Sequence, residues 1–156
     1  MMPDRSDLDR VLAANRYCVL GTADRAGTPW VTPVFFGLLD PDQVCWVSSP
    51  DSRHSQNIAD RAAIAITVFD SGVPVGQAEA AYFDAEATRT APDHVEAALR
   101  ALNARLPADK QLSVADLLPA GPLAVYQASF RRRYLLVRGG NPELRNVLDL
   151  TYEIPS

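Results

Sequence analysis

The sequence predicts a mainly β protein of the α+β class, a barrel or sandwich with short flanking helices. Three observations predict it. Short runs rich in Val, Ile, Thr, Tyr, Phe and Trp follow one another, with turn residues between them. Helical spacing is confined to a few stretches. Strands and helices do not alternate one for one, as a doubly wound sheet requires.

The elements follow in order. Ser6 to Arg16 reads as a helix capped by Ser6, with Asp7 and Asp9 in its first turn and Leu8, Val11 and Leu12 on one side. Tyr17 to Ala23 and Pro29 to Phe36 form a hairpin. Its turn, Asp24-Arg25-Ala26-Gly27, ends on a residue that accepts positive φ. After Asp40-Pro41-Asp42 comes a third strand, Gln43 to Ser49. A short helix, Ser52 to Asp60, leads to a fourth strand, Ala63 to Phe69, and a fifth runs from Gly76 to Thr88. A helical insert at about 91–119 follows. Val95, Leu99 and Leu102 give its first helix a side, and Ser113 caps a second, Ser113 to Leu118. Leu123 to Arg138 returns to strand character, as one bent strand or a hairpin. Gly139-Gly140-Asn141-Pro142 breaks it, and Val147 to Ile154 adds a last strand.

With 156 residues the chain suits a single domain, 1–156, large enough to bury its own core. Its net charge of −4 argues against a nucleic-acid binder. On a strand, Arg131-Arg132-Arg133 would split between two faces. No apolar run approaches the ~20 residues of a membrane span, and MMPDRSDLDR lacks the apolar stretch of a secretory signal. The expectation is a cytoplasmic protein with no membrane or nucleic-acid partner. Cys18 and Cys45, inside YCVL and VCWV, read as buried free thiols. No Cys/His cluster has metal-ligand spacing, so no metal site is expected.

One segment stands out: Ser48 to Asn57, SSPDSRHSQN. Pro50-Asp51 ends a strand, and a helix begins at once. The first amides of a helix have no partner within it and, with the helix dipole, attract anions. Ser52, Arg53, His54 and Ser55 supply hydroxyls and cations at that point, and Arg53 and Asn57 share a face. The same residues also suit a capped surface helix facing water. Pro33, inside VTPVFF, belongs at a sheet edge or bulge. Such an edge leaves backbone of Thr32 and Val34 for a ligand, or simply ends the sheet.

The ordered set GTADRAGTPWVTPVFF, then VCWVSSPDSRHSQNIADRAAIAITVFD, then a strand ending AEA, resembles the pyridoxamine 5′-phosphate oxidase-like family, the FMN-binding split β-barrels. The similarity is clearest from Tyr17 to Phe69, extends to Thr88, and is weaker from Leu123 to Pro155. It favours the anion reading of the corner. The resemblance implies a split barrel of six to seven strands, FMN as cofactor, and a homodimer with the cofactor at the interface. Thr32, Pro33 and Val34 would follow the flavin ring edge, largely through backbone. Val47, Ser48 and Ser49 would lie along the ribityl chain and phosphate. Ser52-Arg53-His54 matches the family's phosphate-holding Ser-Arg-Lys, with histidine in place of lysine. Gln77 or Glu79, two apart on the fifth strand, would approach the flavin from the second subunit.

The resemblance also implies an oxidoreductase acting on a small molecule. The tail RYLLVRGGNPELRNVLDLTYEIPS lacks the arginine-and-histidine substrate motif of true pyridoxamine phosphate oxidases, so that substrate is not expected. No acid or base stands out. Arg133 and Tyr134 are candidates for lining the substrate side. The alternatives are a deazaflavin-dependent reductase and a non-catalytic flavin- or haem-binding protein on the same barrel.

Overall fold

A computed structural model describes residues 2–156. The first helix, α1 (Arg5–Ala14), buries Leu8, Val11 and Leu12 as its spacing requires. Its cap is Asp4, not Ser6. The Asp4 carboxylate accepts from the Ser6 amide at 2.8 Å, and Asp7 accepts from the Asp4 amide at 3.0 Å. This reciprocal box outcompetes a serine two residues later.

Eight strands form one antiparallel sheet: β1 (Tyr17–Ala23), β2 (Pro29–Phe35), β3 (Gly37–Asp40), β4 (Gln43–Ser48), β5 (Ala63–Phe69), β6 (Ala80–Arg89), β7 (Ala124–Val137) and β8 (Leu150–Ile154). Seven follow the order β2-β1-β5-β6-β7-β4-β3, and β8 pairs with β7 off that path. The additional strand is β3, four residues too short to show a pattern. Leu123 to Arg138 resolves into one strand rather than a hairpin. It pairs with β6 along most of its length, while its other edge pairs with β4 over Ala124–Ser129 and with β8 over Arg133–Val137. A bulge between Asp84 and Ala85 marks the change of partner. The fifth strand starts later than expected, at Ala80. Gln77 and Glu79 therefore precede it, in a loop where Gly76 has φ of 86°.

Alternation along the strands divides the side chains between two cores. Leu20, Ile66, Val68, Phe83, Trp46 and Ala128 fill the concave side. There Phe83 stacks on Phe130 at 3.9 Å, and Trp46 on Tyr126 at 6.1 Å. The convex side of β3, β4 and the first half of β7 is covered by α3 (Val95–Asn103), through Ala98, Leu99 and Leu102 against Cys45 and Val125. At Gly37 a Cβ would lie 2.9 Å from backbone atoms of Ala101 and Leu102, so only glycine lets the helix seat there. After α3, Arg105 donates to the carbonyls of Phe36 at 2.6 Å, Leu12 at 3.3 Å and Asn15. It ties the end of α1 to the β2–β3 junction. Both cysteines are buried and unpaired, as expected, and burial pushes each thiol up to about 12. The convex face of β1, β2, β5 and β6 has no such cover, and Tyr17, Val31 and Phe69 stand exposed on it. Among the described residues no helix is long and apolar enough to cross a membrane.

Arg133, a sequence candidate for the substrate side, is instead structural. Its side chain is 9% exposed and donates to Asp42 at 3.0 Å through Nε, and Asp42 also accepts from Arg5 at 2.8 Å. Burial pushes the Asp42 carboxyl up, but Arg133 and Arg5 outweigh it and hold it below its ordinary value. A carboxyl lowered on folding stabilises at neutral pH, and the contribution disappears as pH falls through its folded value. Asp42→Ala should cost about 1–3 kcal/mol, less than a fully buried pair because Asp42 is half exposed. Urea melts at pH 7 and pH 3 check this, and the difference between variant and parent should shrink at pH 3.

Candidate functional site

The corner forms where β4 stops. Ser48, the last residue of β4, faces inward like Trp46 and is buried. Val47 faces the other way, into the cluster under α3, so it offers the site only backbone. Pro50 and Asp51 turn the chain, with the Asp51 amide donating to Ser49 Oγ at 3.2 Å and the Ser52 amide to the Ser49 carbonyl at 3.1 Å. The next helix, α2 (Arg53–Asp60), starts here.

Four side chains converge. Ser52 Oγ lies 2.8 Å from both the Ser49 carbonyl and Ser55 Oγ. His54 Nε2 lies 2.7 Å from Ser48 Oγ and 3.3 Å from Ser52 Oγ. Ser52 precedes the helix but makes no side-chain capping bond to it, so the first-turn amides keep their pull on an anion. His54 is half-buried, and burial lowers its pKa below 6.5. Beside this cluster Arg53 is exposed, and its guanidinium lies 4.2 Å from the centroid of the Trp30 ring. The arrangement offers hydroxyls, a titratable imidazole, a permanent cation and a helix dipole at one point. That is the chemistry of a phosphate grip.

The structure sorts the remaining candidates. Asn57 is buried and donates to Thr22 Oγ1 at 3.0 Å, joining α2 to β1 rather than facing the corner. Val34 belongs to the concave core, Thr32 is half-buried beside it, and Pro33 is exposed on the edge strand β2. Gln77 and Glu79 line a small cavity with Val11 and Asn15, and Glu79 accepts from Arg10 at 2.7 Å. Glu79 also stands close to Leu135 and Val137. Ser48 pairs with Ala124, at the other end of β7, so roughly 30 Å of strand separates the two regions. One chain alone does not bring Gln77 or Glu79 to the corner. Tyr134 points to the convex face, where its hydroxyl donates to Asp84 at 3.1 Å. Trp30 and Thr22 escape a reading of the sequence, because only the β1–β2 register, which sets Thr22 opposite Trp30, carries them to α2.

The family model for pyridoxamine 5′-phosphate oxidase matches residues 6–136. The chain belongs to this family. Solved structures agree on the fold. A haem-binding protein from Mycobacterium smegmatis superposes with a TM-score of 0.72 at 18% identity, over 98% of this chain and 59% of that one. A candidate 5-nitroimidazole antibiotic resistance protein from Bacteroides thetaiotaomicron gives 0.71 at 19%, over 85% and 82%. HutZ, the haem storage protein of Vibrio cholerae, gives 0.64 at 16%, over 83% and 92%. No curated protein matches the sequence.

A histidine whose pKa is lowered on folding stabilises its neutral state. The benefit is present above the ordinary imidazole value and is lost as pH falls through the folded one. NMR titration of the ligand-free protein should therefore show His54 titrating below the ordinary imidazole range. A His54 titration at the ordinary imidazole value would contradict the burial argument.

Proposed function

We propose that the chain binds FMN as a homodimer and uses it as an oxidoreductase on a small molecule other than pyridoxamine phosphate. The observation that carries this reading is the convergence of Ser48, Ser52 and His54 at the start of α2, with Arg53 open beside them. A phosphate monoester fits that donor set. Ser49 and Ser55 complete the hydroxyl lining, and the edge backbone of Thr32, Pro33 and Val34 offers a border for the ring. Bound flavin supplies the hydride and electron chemistry. This chain's residues hold the phosphate, orient the ring and exclude water.

The dimer is supported by the convex face of β1, β2, β5 and β6, which the chain leaves uncovered and which carries Val19, Val31 and Ala65 around Tyr82. It is also supported by the separation of Gln77 and Glu79 from the corner, which a second subunit would bridge. The substrate limit rests on the tail, which lacks the arginine-and-histidine motif, and on Arg133, which is committed to Asp42.

A second reading follows from the solved structures named for haem: a non-catalytic haem-binding barrel. Haem needs an axial ligand. His54 meets Ser48 and Ser52 through Nε2, and His94 is exposed beside Asp93 at 3.9 Å. The deazaflavin coenzyme is the remaining alternative.

Purified protein separates these. Flavin absorbance, with FMN released on denaturation, supports the first reading. A Soret band after growth with haem, abolished by His54→Ala or His94→Ala, supports the second. Colourless protein that ignores FMN and binds the deazaflavin selects the third. Within the first reading, Arg53→Ala should weaken FMN by about 1.5–3 kcal/mol and leave riboflavin almost unchanged. Equal losses would sink the phosphate assignment. FMN should bind best with His54 protonated, so affinity should fall as pH rises through the imidazole range and become flat in His54→Gln.

A further inference from the structure

We propose that Trp30 is a positioning residue that stacks Arg53 and so makes the corner selective for a phosphate. The inference rests on the phosphate reading above and adds a residue to it.

Arg53 opens α2 on an exposed face, where a long side chain would ordinarily sample many rotamers. Its guanidinium carbon instead lies 4.2 Å from the centroid of the Trp30 ring, within the range of a cation–π contact. Stacking uses the π-face of the guanidinium and leaves the N–H fork in its plane free to donate. The indole thus fixes the cation without consuming its hydrogen bonds, as a carboxylate would.

The stack is set by the fold rather than by chance contact. Trp30 lies opposite Thr22 in the β1–β2 ladder. Thr22 Oγ1 accepts from Asn57 Nδ2 at 3.0 Å in a buried bond. Asn57 follows Arg53 by one helical turn, on the same face of α2. Ring and guanidinium are therefore at the two ends of one short rigid path. Asp24, in the hairpin turn, adds its field to Arg53 while its carboxylate accepts from the Thr28 amide at 2.9 Å.

The experiment measures FMN and riboflavin affinities for the full chain, Trp30→Leu, Trp30→Phe, Arg53→Ala and the double variant Trp30→Leu/Arg53→Ala. Trp30→Leu should weaken FMN about two- to fivefold, the range of an exposed cation–π contact, with riboflavin unchanged. Trp30→Phe should restore much of the loss. In the Arg53→Ala background, Trp30→Leu should change nothing further. Arg53→Lys, which keeps the charge and loses the planar stack, should behave like Trp30→Leu. An unchanged FMN-to-riboflavin ratio in Trp30→Leu, or an equal loss in the presence and absence of Arg53, would overturn the positioning role while Arg53→Ala still upheld the phosphate grip. If Arg53→Ala itself leaves the ratio unchanged, both readings fall together. Should Trp30→Leu not fold, tryptophan emission decides. Trp30 is 40% exposed and Trp46 fully buried, so phosphate titrated into the parent protein should shift exposed-tryptophan emission. Absence of that shift in a parent that binds FMN overturns the stack.

Discussion

A strand paired on both edges is rigid, and β7 is paired by different strands at its two ends. Most of the architecture follows from that exchange. Its first half holds β4, which delivers Ser48 to the corner, and its second half holds β8. A fourteen-residue strand cannot stay flat while it changes partner, because strands twist. The bulge opposite Asp84 and Ala85 takes up the bend. The sheet then curls far enough to enclose Trp46, Phe83 and Phe130, and it splits where β4 gives way to β8.

The split also accounts for the polar core residue that sequence patterning misread. Arg133 alternates inward with Leu135 and Phe130, yet it is no error in a core. It reaches the β3–β4 turn at Asp42, where Arg5 of α1 joins it. A charge so placed is tolerable only with its partner. It pins the helix to the turn and the long strand just where the β4–β7 ladder ends, beside the Phe130 amide's bond to the Asp42 carbonyl at 2.8 Å.

Local pattern made most elements legible. Tyr17–Ala23 and Ala63–Phe69 coincide with their strands because each alternates cleanly between a buried and an exposed face. What stayed hidden depended on contacts distant in sequence. β3 is visible only as the partner of β4. Gln77 and Glu79 read as strand because alternating apolar residues continue through them, whereas the ladder with β5 starts only at Ala80, opposite Phe69. The corner was legible as chemistry, since hydroxyls and cations after a Pro-Asp break mark a helix start. Its inner division was not. Asn57 and Arg53 share a helical face, yet one is buried against Thr22 and the other meets Trp30, a distinction set by the hairpin lying alongside. The family match places the chain on a barrel used for cofactor binding. The names of its structural neighbours extend to haem, and so the donor set at the corner, not the fold, bears the weight of the flavin reading.

The seat of α3 on Gly37 has a consequence for how this scaffold tolerates change. The helix meets the sheet there by main chain against main chain, with no side chain between them. Its distance from β3 is therefore independent of what the outer surface of the helix carries. Glu96 and Arg100 can vary without shifting β3, β4 or the serine at its end. The insert can drift freely in sequence on its wet side while acting as a fixed backstop to β3 and β4. One added carbon at residue 37 would convert that same helix into a lever on the corner.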